Sequence, residues 1–271
     1  MSYDTTPWII VLGDPVAQAR IVTLFNVVFE HLGIRALAIP REALRIDALQ
    51  VAACLSQGQV VGVCTTGPAL VDPAVELGEL SIEARQANAV SAVRRDPKAL
   101  SGLQAGLLDG VGFVRHLEAQ GFRCGGARVL INGAGAEGAA LGFELARCGA
   151  ARIDYRDWDY SRAEALSRRL EARGTLKSNA QPAATEAYDL IVLNSTVSSP
   201  HQVGNSDAFR ADMWVADTCL WSESSPMLHR AAQAGARTFT GIPFLRDQVR
   251  LYLSFFAPVL LESGHPAAEF L

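Results

Sequence analysis

The chain has 271 residues, of which 49% are hydrophobic and 19% charged, a composition that fits a folded protein with one large core or two modest ones and excludes intrinsic disorder. A net charge of −4 offers no basic footprint for nucleic acid. The five cysteines (Cys54, Cys64, Cys124, Cys148, Cys219) are odd in number, scattered and without a CxxC pair, which argues against structural zinc and a disulfide framework. The expectation is a cytoplasmic protein with reduced thiols and no bound metal. The N-terminal stretch is not expected to act as a signal peptide, since its apolar run is five residues long without a basic flank, and no apolar run reaches membrane-spanning length.

Short apolar runs alternate with longer helical patterns along the chain. WIIVLG (8–13) reads as a buried strand, and IVTLFNVVFEHLG (21–33) as a helix stopped by Gly33. ALAIP (36–40) and VVGVC (60–64) are further strands, SIEARQAN (81–88) a helix and AVSAVRR (89–95) a strand. DGVGFVRHLEAQG (109–121) is helical, followed by the strand ARVLING (127–133), a glycine turn and the helix AEGAALGFELARCG (136–149). ARIDYRD, SRAEALSRRLEARG, YDLIVLNST, MWVADTCL, PMLHRAAQAG, ARTFTG and a long last helix complete the alternation. Such repeated strand–helix order predicts α/β architecture with a mainly parallel sheet, in two lobes divided near residue 105.

Two stretches carry chemistry. In ARVLINGAGAEGAALGF, Gly133, Gly135 and Gly138 form GxGxxG between a strand and a helix. Gly133 permits the tight turn, Gly135 lets the backbone approach a pyrophosphate, and Gly138 lets helix and strand pack closely. Asp157 lies 24 residues after Gly133, at the end of the next strand, where a carboxylate meets the adenosine ribose and repels a 2′-phosphate. The spacing therefore favours NAD over NADP, although Arg156 and Arg162 lie nearby; the alternative for Asp157 is a cap on the helix near Ser161. The second stretch is GVCTTGPAL (62–70), which breaks on Gly-Pro like the mouth of a site. It offers Cys64, Thr65 and Thr66; the thiol is equally a small buried hydrophobe, and the threonines equally turn caps.

With the glycine turn in place, the chain as a whole resembles the shikimate dehydrogenase family. The resemblance runs through GDPVAQARIVTLFNVVFEHLGI with Gly13, Pro15, Asn26 and Phe29, then Gly62 to QANAVSAV (86–93) and LLDGVGF (107–113). It continues through GAGAEG, DLIVLNST (189–196), VADTCLWSESSP (215–226) and GIPFLRDQ (241–248). It implies a substrate-binding α/β domain over 1–105 and 241–271, and a Rossmann NAD(P)-binding domain over 106–240, with the last helix returning to the first lobe. Family members pair a lysine with an aspartate at the substrate. The aspartate corresponds to Asp109, but the lysine position holds Leu70, and the only lysines, Lys98 and Lys177, lie in unrelated segments. The family's two serines correspond to Ala19 and Ile21, its asparagine to Ser91 and its tyrosine to Leu220, while Gln248 is retained. Each lost polar partner costs about 1–3 kcal/mol against a polyhydroxy acid.

The expected site is therefore catalytic Asp109, with Thr65, Thr66, Ser91, Gln248 and Arg20 toward the substrate. Asp109 is alternatively a helix cap, Gln248 an exposed polar residue and Arg20 a solvated one. For the cofactor the resemblance implies Gly133, Ala134, Gly135, Ala136, Glu137, Gly138, Asp157, Asn194 and Thr196. Asp157-Trp158-Asp159 stands where the family meets the 2′-phosphate of NADP with Asn-Arg-Thr, so NAD is the expected cofactor. The expected function is an NAD(P)-dependent oxidoreductase acting on a cyclic hydroxy acid or related small molecule other than shikimate. The alternative is a catalytically silent dinucleotide- or ligand-binding protein of the same fold. The partners expected are a small-molecule substrate and neither nucleic acid nor membrane; a homodimer is left open.

Overall fold

The computed structural model describes residues 6–43, 46–71, 75, 77–172, 177–180, 184–194, 209–218 and 225–261. In chain order its elements are β1 (Trp8–Gly13), α1 (Pro15–Leu32), β2 (Leu37–Glu42), α2 (Ala48–Leu55), β3 (Val60–Leu70), β4 (Glu79–Leu80), α3 (Ile82–Ala87), β5 (Ala89–Arg95), β6 (Leu103–Gly106) and α4 (Asp109–Ala119). They continue with β7 (Arg128–Asn132), α5 (Ala136–Arg147), β8 (Arg152–Arg156), α6 (Tyr160–Glu171), β9 (Lys177–Asn179), β10 (Leu190–Leu193), β11 (Trp214–Asp217), α7 (Pro226–Gln233), β12 (Arg237–Phe239) and α8 (Gly241–Leu260). The chain divides into two compact units, Met1–Asp109 with Leu245–Leu271, and Gly110–Phe244.

The first unit is built on a six-stranded sheet in the order β2-β1-β3-β5-β6-β4. Helix α1 starts at Pro15, six residues before its apolar periodicity becomes legible. Asp14 caps it, accepting from Val16 N and Ala17 N, and Gly33 closes it in the left-handed region (φ 64°). The first turns hide from a hydrophobic pattern because Gln18 is buried there, donating to the carbonyls of Val11 (2.9 Å) and Arg41. On the same helix Phe25 packs its ring 5.7 Å from Phe29, 6.3 Å from Tyr252 and 6.4 Å from Phe256, so α8 and α1 share one core. Gly62 makes room for that packing: a Cβ there would stand 2.5 Å from the Phe256 ring. Helix α2 carries a capping box between Asp47 and Gln50, a local signal that the apolar pattern alone does not reveal.

One expectation is refined and one corrected in this unit. The sheet is mainly parallel but not wholly so: β1 pairs in parallel with β2 and β3, and β4 with β6, while β5 is antiparallel to both β3 and β6. Asn88 in the left-handed region (φ 53°) ends α3 abruptly and turns the chain into β5. The tight turn over 96–102, closed by Asp96 N donating to Gly102 O, is too short for a parallel crossover to β6. Nor does β3 end at Cys64. It continues to Leu70, with Cys64 opposite Ala92 and Ala69 opposite Val90, so residues 65–68 bulge out of the ladder. What reads as a loop mouth is a bulged strand.

In the second unit every described strand pair is parallel, in the order β12-β11-β10-β7-β8-β9. Numbered within the unit this is 6-5-4-1-2-3, the doubly wound order whose direction switches between β7 and β10. Gly142 on α5 lies over Tyr155 of β8, whose hydroxyl donates to Gly138 O at 3.3 Å. Fully buried Asp154 in β8 accepts from the Tyr188 hydroxyl (2.6 Å) and Arg152 Nε (2.7 Å), an inward-facing carboxylate that no apolar pattern anticipates.

Candidate functional site

The first unit gathers its polar groups at the start of α4. Asp109 is 3% exposed and receives the Gln248 amide Nε2 on Oδ1 at 2.6 Å, across 139 residues of sequence. The same amide nitrogen makes a longer contact, 3.4 Å, to the Tyr252 hydroxyl, which in turn donates to Thr65 O at 3.4 Å. Asp109 Oδ2 has no hydrogen-bond partner among the described residues, and no cation there pairs with the carboxyl. Burial pushes this carboxyl up to about 6, against the opposing pull of the Ser91 hydroxyl, a backbone N–H and the Gln248 amide. Cys64 sits close enough for burial and the Asp109 charge together to raise its thiol, which therefore stays protonated and unreactive.

Of the residues expected toward a substrate, the structure joins Thr65, Ser91 and Gln248 to Asp109. Thr65 is buried and donates its hydroxyl to Ser91 O at 3.3 Å; the Ser91 hydroxyl accepts from Leu108 N at 3.0 Å, fixing the residue that precedes Asp109. Thr66 turns elsewhere, its hydroxyl accepting from Asp14 N at 3.1 Å and tying the β3 bulge to the β1–α1 turn. Arg20 lies half-buried on α1, and among the described residues no hydrogen bond or ion pair joins it to the Asp109 cluster. Ile21 is core and Ala19 exposed, while Leu70 ends β3 opposite Ala89 with 53% of its surface open. Leu220 lies outside the described residues. Tyr252 belongs to this cluster without any motif of its own; its one sequence signal is the i, i+4 spacing from Gln248 on one helix.

In the second unit the glycine turn has the geometry its spacing requires. Gly133 is at φ +115°, and a Cβ on Gly138 would stand 2.0 Å from Gly133 O. Gly135 occupies the N-cap of α5, no side chain caps that terminus, and a Cβ there would meet open space. Ala134, Ala136 and Glu137 are half-buried around it. Such an uncapped helix start with an open backbone approach can hold a diphosphate by N–H donation and the helix dipole. Asn194, oriented to satisfy both ends of its amide, donates to Glu137 Oε2 (2.7 Å) and accepts from Gly138 N (3.0 Å). Thr196 lies outside the described residues. The cap of α6 is Asp159, which accepts from Ser161 N at 3.0 Å; Asp157 is not that cap. Instead Asp157 accepts from Ala134 N (2.7 Å) and Asp159 N (2.9 Å), which fixes its carboxylate beside the glycine turn.

A mixed-sheet α/β unit followed by a doubly wound parallel sheet with a glycine turn at its switch point defines a two-domain α/β protein with a Rossmann-type second unit. No family model matches the chain. Over 250 residues it is 28% identical to shikimate dehydrogenase (NADP(+)) of Geobacter metallireducens and 24% identical to that of Alkaliphilus metalliredigens, in each case covering 88% of this chain and 86% of the relative. Its fold matches a shikimate dehydrogenase solved with NADP+ (TM-score 0.78, 21% identity, 96% and 93% of the two chains). It also matches shikimate 5-dehydrogenase from Listeria monocytogenes solved with shikimate and NAD (TM-score 0.77, 20% identity, 99% and 96%). Over most of its length the chain is thus similar in sequence to shikimate dehydrogenases, and it shares the two-domain α/β fold of the shikimate and quinate dehydrogenases.

Proposed function

We propose that this chain is an NAD-dependent oxidoreductase that interconverts a secondary alcohol and a ketone on a small cyclic hydroxy acid with fewer hydroxyls than shikimate. The observation that carries this reading is Asp109, a buried carboxyl held near a neutral proton affinity with one oxygen unpartnered, in a chain whose other unit keeps a complete glycine turn. When bound, the nicotinamide supplies the two-electron acceptor or donor. In oxidation ionised Asp109 would take the O–H proton of the alcohol, and in reduction protonated Asp109 would return it to the carbonyl oxygen. Gly133, Ala134, Gly135, Ala136, Glu137 and Gly138 would cradle the diphosphate, with Asn194 bracing the turn. Asp157 would accept from the ribose hydroxyls, and with Asp159 it would repel a 2′-phosphate. Loss of the family lysine at Leu70 removes a positioned acid–base group of a kind that contributes about 10²–10⁴-fold, so turnover is slow.

Purified protein with NAD and a panel of cyclic hydroxy acids should oxidise at least one of them, with a rate that rises with pH through about 6. The reverse reduction should fall over the same interval, because it needs Asp109 protonated. Tight NAD binding without turnover on any candidate would favour the silent binding protein, the reading to which the aliphatic, uncharged Leu70 points. Asp157→Ala should weaken NAD by about tenfold or more in calorimetric titration, from the loss of one or two charge-assisted hydrogen bonds; unchanged affinity would remove Asp157 from the cofactor site.

A further inference from the structure

Both hydrogens of the Gln248 amide nitrogen are directed at protein acceptors, one at Asp109 Oδ1 and one at the Tyr252 oxygen. Tyr252 donates its own hydrogen to Thr65 O, so its oxygen is the acceptor in the contact with Gln248. A primary amide nitrogen can only donate; its partner Oδ1 is therefore a pure acceptor, and a neutral carboxyl beside it must carry its hydrogen on the other oxygen. Oδ2 is that oxygen, and it is the one without a described partner. We propose that Gln248 and Tyr252 are positioning residues for Asp109: they hold Oδ1 as the acceptor and so confine the exchangeable proton of this carboxyl to Oδ2. The inference rests on the reading of Asp109 as the proton-handling group and gives it a direction, one oxygen anchored and the other without a hydrogen-bond partner among the described residues. It also gives Gln248 a task other than contact with substrate through its nitrogen.

Among the described residues the groups that act on Asp109 are Cys64 on β3, Ser91 on β5 and Gln248 on α8, with Tyr252 behind Gln248. Cys64 remains a neutral thiol, so the hydrogen-bond donors are what favour the ionised carboxyl, against its burial. Removing the Gln248 donor therefore strengthens proton binding at Asp109.

The test follows the side-chain carboxyl of Asp109 by carbon NMR and infrared in protein labelled with ¹³C-aspartate, with its signals assigned by their absence in Asp109→Asn. Gln248→Met, which keeps the side-chain volume and removes the donor, should raise the titration midpoint by about one unit, a tenfold gain in proton affinity. It should also shift the neutral C=O stretch to higher frequency, because Oδ1 no longer accepts. Tyr252→Phe, the milder change, should move both signals the same way by less. A midpoint and a stretch that stay at native values in folded Gln248→Met would overturn the proposal while leaving the oxidoreductase reading intact. Shifted signals in a protein that oxidises no alcohol would support the positioning role and remove the oxidoreductase reading instead.

Discussion

Asp109→Asn will give a folded protein that keeps its NAD affinity, loses alcohol oxidation by about 10²–10⁴-fold, and resists unfolding better than the native chain above pH 6. The stability effect follows from the carboxyl's position. Burial raises Asp109 from 3.8 to about 6, so the folded state binds its proton more tightly than the unfolded state does. Its contribution is fully present below pH 3.8 and is lost as the pH rises through about 6. Above that point the native chain carries an ionised buried carboxylate with no cation paired to it among the described residues. The shift of roughly two pH units corresponds to a cost on the order of 3 kcal/mol. Asparagine is nearly isosteric, keeps the oxygen that accepts from Gln248 and carries no charge. Denaturant unfolding of the two proteins should coincide below pH 4 and diverge toward pH 8, with the variant the more stable. Parallel curves across that range would mean that Asp109 does not hold a buried charge, and the acid–base role proposed for it would go with it.

Two glycines of the nucleotide turn should both lose dinucleotide binding on change to alanine but differ in stability. At Gly138 the added Cβ would lie 2.0 Å from Gly133 O and 3.0 Å from Gly133 C, both backbone atoms that no rotamer change can move. The turn is hemmed in further, because a Cβ at Gly133 would lie 2.6 Å from Asn194 O. Gly138→Ala must therefore push α5 off β7, at a cost of about 2–4 kcal/mol in stability together with loss of dinucleotide binding. Gly135 has an ordinary extended backbone and open space where its Cβ would go. Gly135→Ala should melt like the native protein yet bind NAD far more weakly, because the methyl group occupies the approach of the diphosphate. Thermal unfolding and NAD titration on the same samples separate the two. An unaffected NAD affinity in Gly135→Ala would take the turn out of the binding site, and an unaffected melting temperature in Gly138→Ala would contradict its packing role.

Much of the fold is legible in the sequence because its signals are local. WIIVLG, AVSAVRR and RVLIN are short apolar runs of strand length, and the helix after the glycine turn shows its own period. The turn itself is legible for the same reason: its glycines answer steric demands within one strand–turn–helix unit. The bulge at 65–68 is hidden, since Gly67-Pro68 carries the local signature of a turn and only pairing with β5 keeps the strand going to Leu70. Asp157 as a helix cap fits the local sequence as well as Asp159 does, and only the fold decides for Asp159, which accepts from Ser161 N.

The sequence by itself determined the α/β alternation, the GxGxxG turn, the carboxylates at Asp109 and Asp157, and the scarcity of lysine, all of which depend on residue identity and near spacing. Only the tertiary structure decided that β5 runs against its neighbours, that Thr66 fastens the β1–α1 turn, and that Gln248 and Tyr252 anchor one oxygen of Asp109. The reason is that a polar group's partner, and the proton affinity that follows from its burial, are set by segments that meet only when the chain folds. Gln248 and Asp109 stand 139 residues apart in sequence and 2.6 Å apart in space.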